Sequence, residues 1–135
     1  MATANLAFPV WATGRRKNAT ARVRMIPGNG KFLINDKSLE EYFGGHARSK
    51  WAVMRPFEVA KLGNQYDIWV DVLGGGVSGQ AGAVAHGVAR AFSKLENTMR
   101  IAMRKNGLLT RDSRMVERKK SGQPKARKRF QYSKR

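Results

Sequence analysis

Few residues of this chain have the type and spacing for acid–base or metal chemistry. Asp67 and Asp71 stand four apart in Tyr66-Asp67-Ile68-Trp69-Val70-Asp71-Val72, a stretch that alternates. Alternation with period two marks a half-buried strand, so the two carboxylates share the face opposite Tyr66, Ile68, Val70 and Val72. Paired carboxylates can hold a metal or pass protons. The plainer readings are the wet face of the strand, or ion-pair partners for nearby arginines. The only histidines are His46 and His86, and there is no cysteine. Without cysteine there is neither a disulfide nor a thiolate metal site. No Walker, HExxH or nucleophile-elbow pattern is present. This inventory points away from an enzyme and gives no reason to expect a metal or a cofactor.

The second candidate is the glycine-rich run that follows, Gly74-Gly75-Gly76-Val77-Ser78-Gly79-Gln80-Ala81-Gly82. A glycine turn that opens a helix can bind phosphate, because free amides and the positive helix end point outward. It lacks the lysine and the acidic residue that a nucleotide fingerprint needs. A tight strand-to-helix joint, or a loop touching the phosphates of a polymer, fits better. Gly75 or Gly76 is expected to need a backbone conformation closed to other residues. Ser78 is the expected helix cap.

Charge is the third and strongest signal. There are 27 Lys and Arg against 9 Asp and Glu, a net charge of +18. Such a chain repels itself unless a polyanion neutralises it, and nucleic acid fits best. A membrane surface fits worse, since no long basic amphipathic helix offers lipid an apolar face. No stretch is long enough to span a bilayer, and the first 14 residues lack the pattern of a signal peptide. Half of the net charge sits in Arg118 to Arg135, which holds nine basic residues and no acid. Gly122 and Pro124 break any helix there, and no apolar face exists, so residues 112–135 are expected to be disordered when the protein is free. Fully extended, these last 18 residues reach about 60 Å at roughly 3.3–3.6 Å each. Phe130 and Tyr132 lie among the cations, and rings interleaved with cations suit stacking on bases or sugars.

The elements that must position these groups follow from periodicity. Phe8 to Trp11 reads as a short strand or an arm, and Gly14 to Lys17 as a basic turn. Ala19 to Ile26 alternates, with Arg22 and Arg24 on the polar face, either solvated or facing an anion. Pro27-Gly28-Asn29-Gly30 is a turn. The strand predicted from Lys31 to Asn35 would pair back as a hairpin. Ser38-Leu39-Glu40-Glu41 has capping-box spacing and opens a short helix to Phe43. Ser49 to Met54 predicts a second, ended by Pro56. After the strand at Tyr66, Ala81, Val84, Ala85, Val88, Ala91, Phe92 and Leu95 form one helical stripe facing a core. Small residues between them predict close packing. His86 falls on the more polar side, facing solvent or an anion. Asn97 to Lys105 predicts a last helix, closed by Asn106-Gly107.

Several pieces follow one another along the chain: Thr13-Gly14-Arg15-Arg16-Lys17, Pro27-Gly28-Asn29-Gly30-Lys31, Leu39-Glu40-Glu41-Tyr42-Phe43, Gly74 to Ala81, Leu109-Thr110-Arg111-Asp112, Val116-Glu117-Arg118-Lys119-Lys120 and the closing Ser133-Lys134-Arg135. Together they resemble small-subunit ribosomal protein nine, in its bacterial or organellar form. The resemblance implies an α+β fold like the second domain of ribosomal protein five of the small subunit. That fold has a four-stranded sheet with helices on one face and a left-handed β-α-β crossover, against the usual hand. Residues 1–110 would form the globular RNA-binding domain and 111–135 a long extended basic tail. The implied place is the subunit head, on the 3′ major domain of the ribosomal RNA and beside neighbouring head proteins, in a cytoplasmic or organellar ribosome. Ser133, Lys134 and Arg135 would reach the anticodon stem-loop of tRNA in the peptidyl site. Charge and resemblance together name the expected ribosomal RNA contacts. On the domain they are Arg15, Arg16, Lys17, Arg22, Arg24, Gly75, Gly76, Ser78 and Gln80. From the segment that follows come Arg111, Arg118, Lys119, Lys120, Lys125, Arg127, Lys128, Arg129, Phe130 and Tyr132. No membrane and no small-molecule substrate is expected. The alternative is a free-standing basic RNA chaperone or nucleoid-associated protein.

Overall fold

A computed structural model of the protein describes residues 8–134. Strands β1 (Val10–Arg16), β2 (Ala19–Pro27), β3 (Phe32–Ile34) and β4 (Lys37–Ser38) come first. Helices α1 (Leu39–Phe43) and α2 (Ala47–Ala60), strand β5 (Tyr66–Leu73), and helices α3 (Val77–Leu95) and α4 (Asn97–Lys105) follow. The architecture is α+β, and the sheet order is β1-β2-β5-β3-β4. Among the described residues the sheet has five strands rather than the expected four, the extra one being the two-residue β4. Only β3 and β5 run parallel among the described pairs.

Alternation along β2 and β5 works as read. Ala19, Ala21, Val23 and Met25 are buried with Ile68, Val70 and Val72 on one face. That face is covered by α3, whose buried stripe includes Val84, Val88, Phe92 and Leu95. The close packing comes from glycines: a Cβ on Gly14 would sit 1.9 Å from the Ala83 carbonyl oxygen and 2.2 Å from the Gly87 nitrogen.

Three local readings change. Gly14, Arg15 and Arg16 are not a turn; they pair with Ala21, Thr20 and Ala19, and the turn is Lys17-Asn18. Lys17 takes φ 51, the positive value a two-residue hairpin loop asks for. The strand after Gly30 does not return along β2, because both edges of β2 are already taken, by β1 and β5. It lies parallel to β5 instead, and Asn35 extends the ladder with its side chain. Asn35 Oδ1 accepts from the Val72 amide at 2.8 Å and its Nδ2 donates to the Val72 carbonyl at 3.1 Å. Finally, α2 runs through Pro56 to Ala60. Proline forfeits one helical hydrogen bond, but Pro56 is fully buried, and Phe57 packs edge-on against Phe32 and Phe92 at 5.3 and 5.4 Å.

α1 carries the expected capping box, with Ser38 and Glu41 bonded to each other's backbone amides. α4 has the predicted bounds.

Candidate nucleic-acid interface

Among the described residues the expected contacts fall in four regions around this core. The first is the glycine joint. Gly74 and Gly75 have φ +73 and +66, and a Cβ on Gly75 would press on Ala19. Gly76 does not need to be glycine for its backbone, since φ −110 and ψ 176 are open to any residue, and it rather than Ser78 is the N-cap. Ser78 lies exposed in the first turn. Gln80, expected on RNA, is engaged inside the fold. It donates to the Gly74 carbonyl at 3.2 Å and accepts from the Tyr42 hydroxyl at 2.9 Å. The joint is thus propped from α1, and Gly75, Gly76 and Ser78 are left facing outward.

The second region is the sheet face opposite α3. Trp11, Arg24, Trp69 and Leu33 are neighbours in one row across β1, β2, β5 and β3. The Arg24 guanidinium lies 4.8 Å from the Trp69 ring centroid, a cation–π contact. Arg22 is exposed beside Thr13 and Asp71. Asp67 is engaged by the turn that precedes β3. Its Oδ1 accepts the Asn29 and Lys31 amides at 2.9 and 2.8 Å, folding the turn before β3. Those amides, Lys31 first, hold its carboxyl below the usual range. Among the described residues no His, Asp and Glu cluster is arranged to hold a metal ion.

The third region roots the C-terminal segment. Arg16 runs across Gly82 and pairs with Asp112 at 3.2 Å. Asp112 is also held by Arg114 at 2.9 Å, and this hydrogen bond foremost keeps its carboxyl far below the usual range. Arg15 and Arg48 lie nearby, and Arg111 reaches toward the Lys17 carbonyl at 3.5 Å. His86, read as facing solvent or an anion, belongs here too and is half-buried. Its Nδ1 accepts from the Arg15 amide at 3.2 Å, so Nε2 carries the proton and donates to the Leu109 carbonyl at 3.2 Å. One imidazole thereby ties β1 to the chain leaving α4. The sequence signal for it was spacing: His86, Arg90 and Lys94 stand at four-residue steps, and the other two donate to the Thr13 and Trp11 carbonyls of the same strand.

Burial, then the Arg90 and Arg111 charges, push the His86 pKa below 6.5. Its neutral form is therefore favoured by folding. Its contribution is present above pH 6.5 and is lost as pH falls below it, because the unfolded chain takes up the proton first. Thermal melts between pH 5 and 8 should show a melting temperature that drops on the acid side. His86→Gln should lack that His86-linked part of the drop, even where the variant is less stable. Identical pH slopes would count against a folded histidine held neutral.

The fourth region is the segment itself. Residues 108–134 contain no helix or strand. The chain is not simply extended, however, because 121–127 folds into a turn. Glu117 closes it by pairing with Arg127 at 2.8 Å and with Lys120. Those cations, Arg127 first, lower the Glu117 pKa. Arg118 donates locally to the Lys119 carbonyl. Lys119, Lys125, Lys128 and Arg129 are exposed, as are Phe130 and Tyr132. Lys134 ends the described segment; Arg135 and residues 1–7 lie outside it. On α2, Arg48, Trp51 and Arg55 share one face near Arg15 and Arg16. Sequence reading missed this group because its helix, Ser49 to Met54, left out both Arg48 and Arg55, which hid the i, i+3, i+7 spacing.

A one-sheet domain with helices on one face and cations gathered at one end and along an irregular C-terminal segment is the construction of a ribonucleoprotein component. Residues 14–135 match the family model described as ribosomal protein S9/S16, and the chain belongs to that family. It is 51% identical over 125 residues to the small ribosomal subunit protein uS9 of Rickettsia bellii (strain OSU 85-389), covering 93% of this chain and 76% of the relative. The protein is accordingly a structural, RNA-binding constituent of the small ribosomal subunit, acting in translation. No helix of the described residues is long and apolar enough to cross a membrane.

Proposed function

We propose that residues 1–110 anchor the protein on the 3′ major domain of the ribosomal RNA in the subunit head, among neighbouring head proteins of a cytoplasmic ribosome. Residues 111–135 then thread through RNA toward the peptidyl site, where Ser133, Lys134 and Arg135 meet the anticodon stem-loop of the bound tRNA. In this reading the connection from β3 through α1 and α2 to β5 is the left-handed crossover of the ribosomal-protein-five type. The observation that carries the proposal is the C-terminal segment. Nine of its last 18 residues are cations, and its root is fixed to the domain by Arg16–Asp112 and His86–Leu109. A fixed root gives the segment a defined starting point, and phosphates cancel the charge that keeps it from collapsing. Its lysines and arginines grip backbone, which is uniform among tRNAs, so no base readout is needed.

The test is filter binding of tRNA to small subunits assembled with wild-type protein, with Lys134 and Arg135 deleted, or with Lys134→Glu and Arg135→Glu. A hydrogen bond to a charged group contributes on the order of 1.5–3 kcal/mol before ordering costs. Deletion should therefore weaken peptidyl-site binding roughly tenfold or more, and charge reversal more still. Incorporation into the subunit should stay near normal, because the domain is anchored elsewhere. Equal affinities for all three would reject the tRNA role.

A further inference from the structure

α2, α3, the end of β1 and residues 107–114 line an open cavity of about 350 Å³. Arg15, Arg16, Arg48, Arg55 and Arg114 line it, against a single acid, Asp112. That acid is already shared by Arg16 and Arg114. Among the described residues Arg15, Arg48 and Arg55 have no acidic partner. Trp51 stands in the same wall with 58% of its surface exposed, the Arg55 guanidinium 5.3 Å from its ring centroid. A large indole left in water costs apolar burial, and clustered guanidiniums repel one another. Both conditions are relieved together by an occupant that joins a planar ring to a negatively charged group.

The geometry points to a subsite for one unstacked nucleotide of ribosomal RNA, its base laid on Trp51 and its phosphate held by Arg48 and Arg15. This rests on the reading that the protein binds ribosomal RNA, and it names a contact that the glycine joint and the C-terminal segment do not supply. The volume is at the small end of ligand pockets, about 300–1,000 Å³, which suits a single nucleotide. Arginine suits both partners, since its planar group forks onto phosphate and stacks on rings. Arg16, Arg48 and Ala52 also line a neighbouring cavity of about 530 Å³, which reaches Val77 and Ser78 in the first turn of α3. A single strand leaving the Trp51 subsite therefore has a basic path to the glycine joint.

The test uses the full chain and two probes: a short single-stranded RNA of mixed sequence, and a duplex of equal length. Stacking of one base is worth a loss of about 5- to 150-fold in affinity on truncation to alanine. Trp51→Ala should lose single-strand affinity in that range without changing the salt slope, whereas Trp51→Phe should keep most of it. Arg48→Ala should reduce the slope by about 0.7. Duplex affinity should be unaffected by Trp51→Ala. Trp51 is on the surface, so the variants should melt as the wild type does, and this is checked first. If wild type binds single strands and Trp51→Ala binds them equally well, the subsite is overturned while the broader RNA reading stands. If wild type binds neither probe, the RNA reading itself fails. Binding of a poly-glutamate peptide that depends on Trp51, with no such dependence for RNA, would assign the cavity to an acidic protein segment and overturn the proposal.

Discussion

Replacing Gly14 by alanine is expected to unfold the domain or come close to it. The new methyl carbon would lie 1.9 Å from the Ala83 carbonyl oxygen, 2.2 Å from the Gly87 nitrogen and 2.8 Å from the Gly87 Cα. All three are backbone atoms, so no rotamer change relieves the clash. Either β1 or α3 must retreat, and α3 packs on the sheet along its length. Overpacking costs about 1–3 kcal/mol where side chains can adjust; here they cannot, and about 3 kcal/mol or more is expected. That is a large part of the roughly 5–15 kcal/mol that keeps a domain folded. Gly76→Ala is the control. Nothing lies within 4 Å of its added Cβ and its φ is ordinary, so it should stay within about 0.5 kcal/mol of wild type. Gly75→Ala, at φ +66, should fall between them, at about 1–2 kcal/mol. Urea unfolding midpoints check all three. A wild-type midpoint for Gly14→Ala would mean that β1 and α3 do not approach as closely as described.

Deleting Arg118 to Arg135 should remove most of the salt sensitivity of RNA binding. If the segment engages about 6–9 phosphates, log K falls against log salt with a slope of roughly −4 to −6, at about −0.7 per contact. Between 50 and 200 mM salt that amounts to roughly a thousandfold. The pairing of Glu117 with Lys120 and Arg127 hardly reduces this number. The pairs are solvent-exposed, such pairs are worth little, and phosphate can replace the carboxylate. The shortened protein should bind with a much flatter slope, set by the domain alone. Filter binding of a ribosomal RNA fragment over that salt range measures it. An unchanged slope would place the binding surface on the domain.

Local pattern carried much of the fold. The alternation of β2 and β5, the capping box of α1, the apolar stripe of α3 and the span of α4 could all be read from the chain. What escaped depended on partners distant in sequence. Gly14-Arg15-Arg16 has the composition of a turn, and only the nearness of α3 explains a glycine in that strand. β3 was assigned to the wrong neighbour because hairpins are the default, and nothing local says that β5 will occupy the free edge of β2. Pro56 reads as a stop until Phe32 and Phe92 are seen beside Phe57. The basic segment and its rings were legible as charge. The Glu117 turn and the inward duties of Gln80 and His86 were not, because polar side chains look alike on paper whether they face solvent or a carbonyl.

The long side chains of α3 that reach β1 have a bearing on solubility. β1 is an edge strand, and an edge with open carbonyls invites a strand from another molecule. Here Arg90 and Lys94 occupy the Thr13 and Trp11 carbonyls, and His86 occupies the Arg15 amide. The opposite edge, β4, is two residues long. Among the described residues, then, the longer edge is partly occupied and the other is short. A chain of net charge +18 that exposes Trp11 and Trp51 thus has three residues of one helix placed against strand addition at its longer edge.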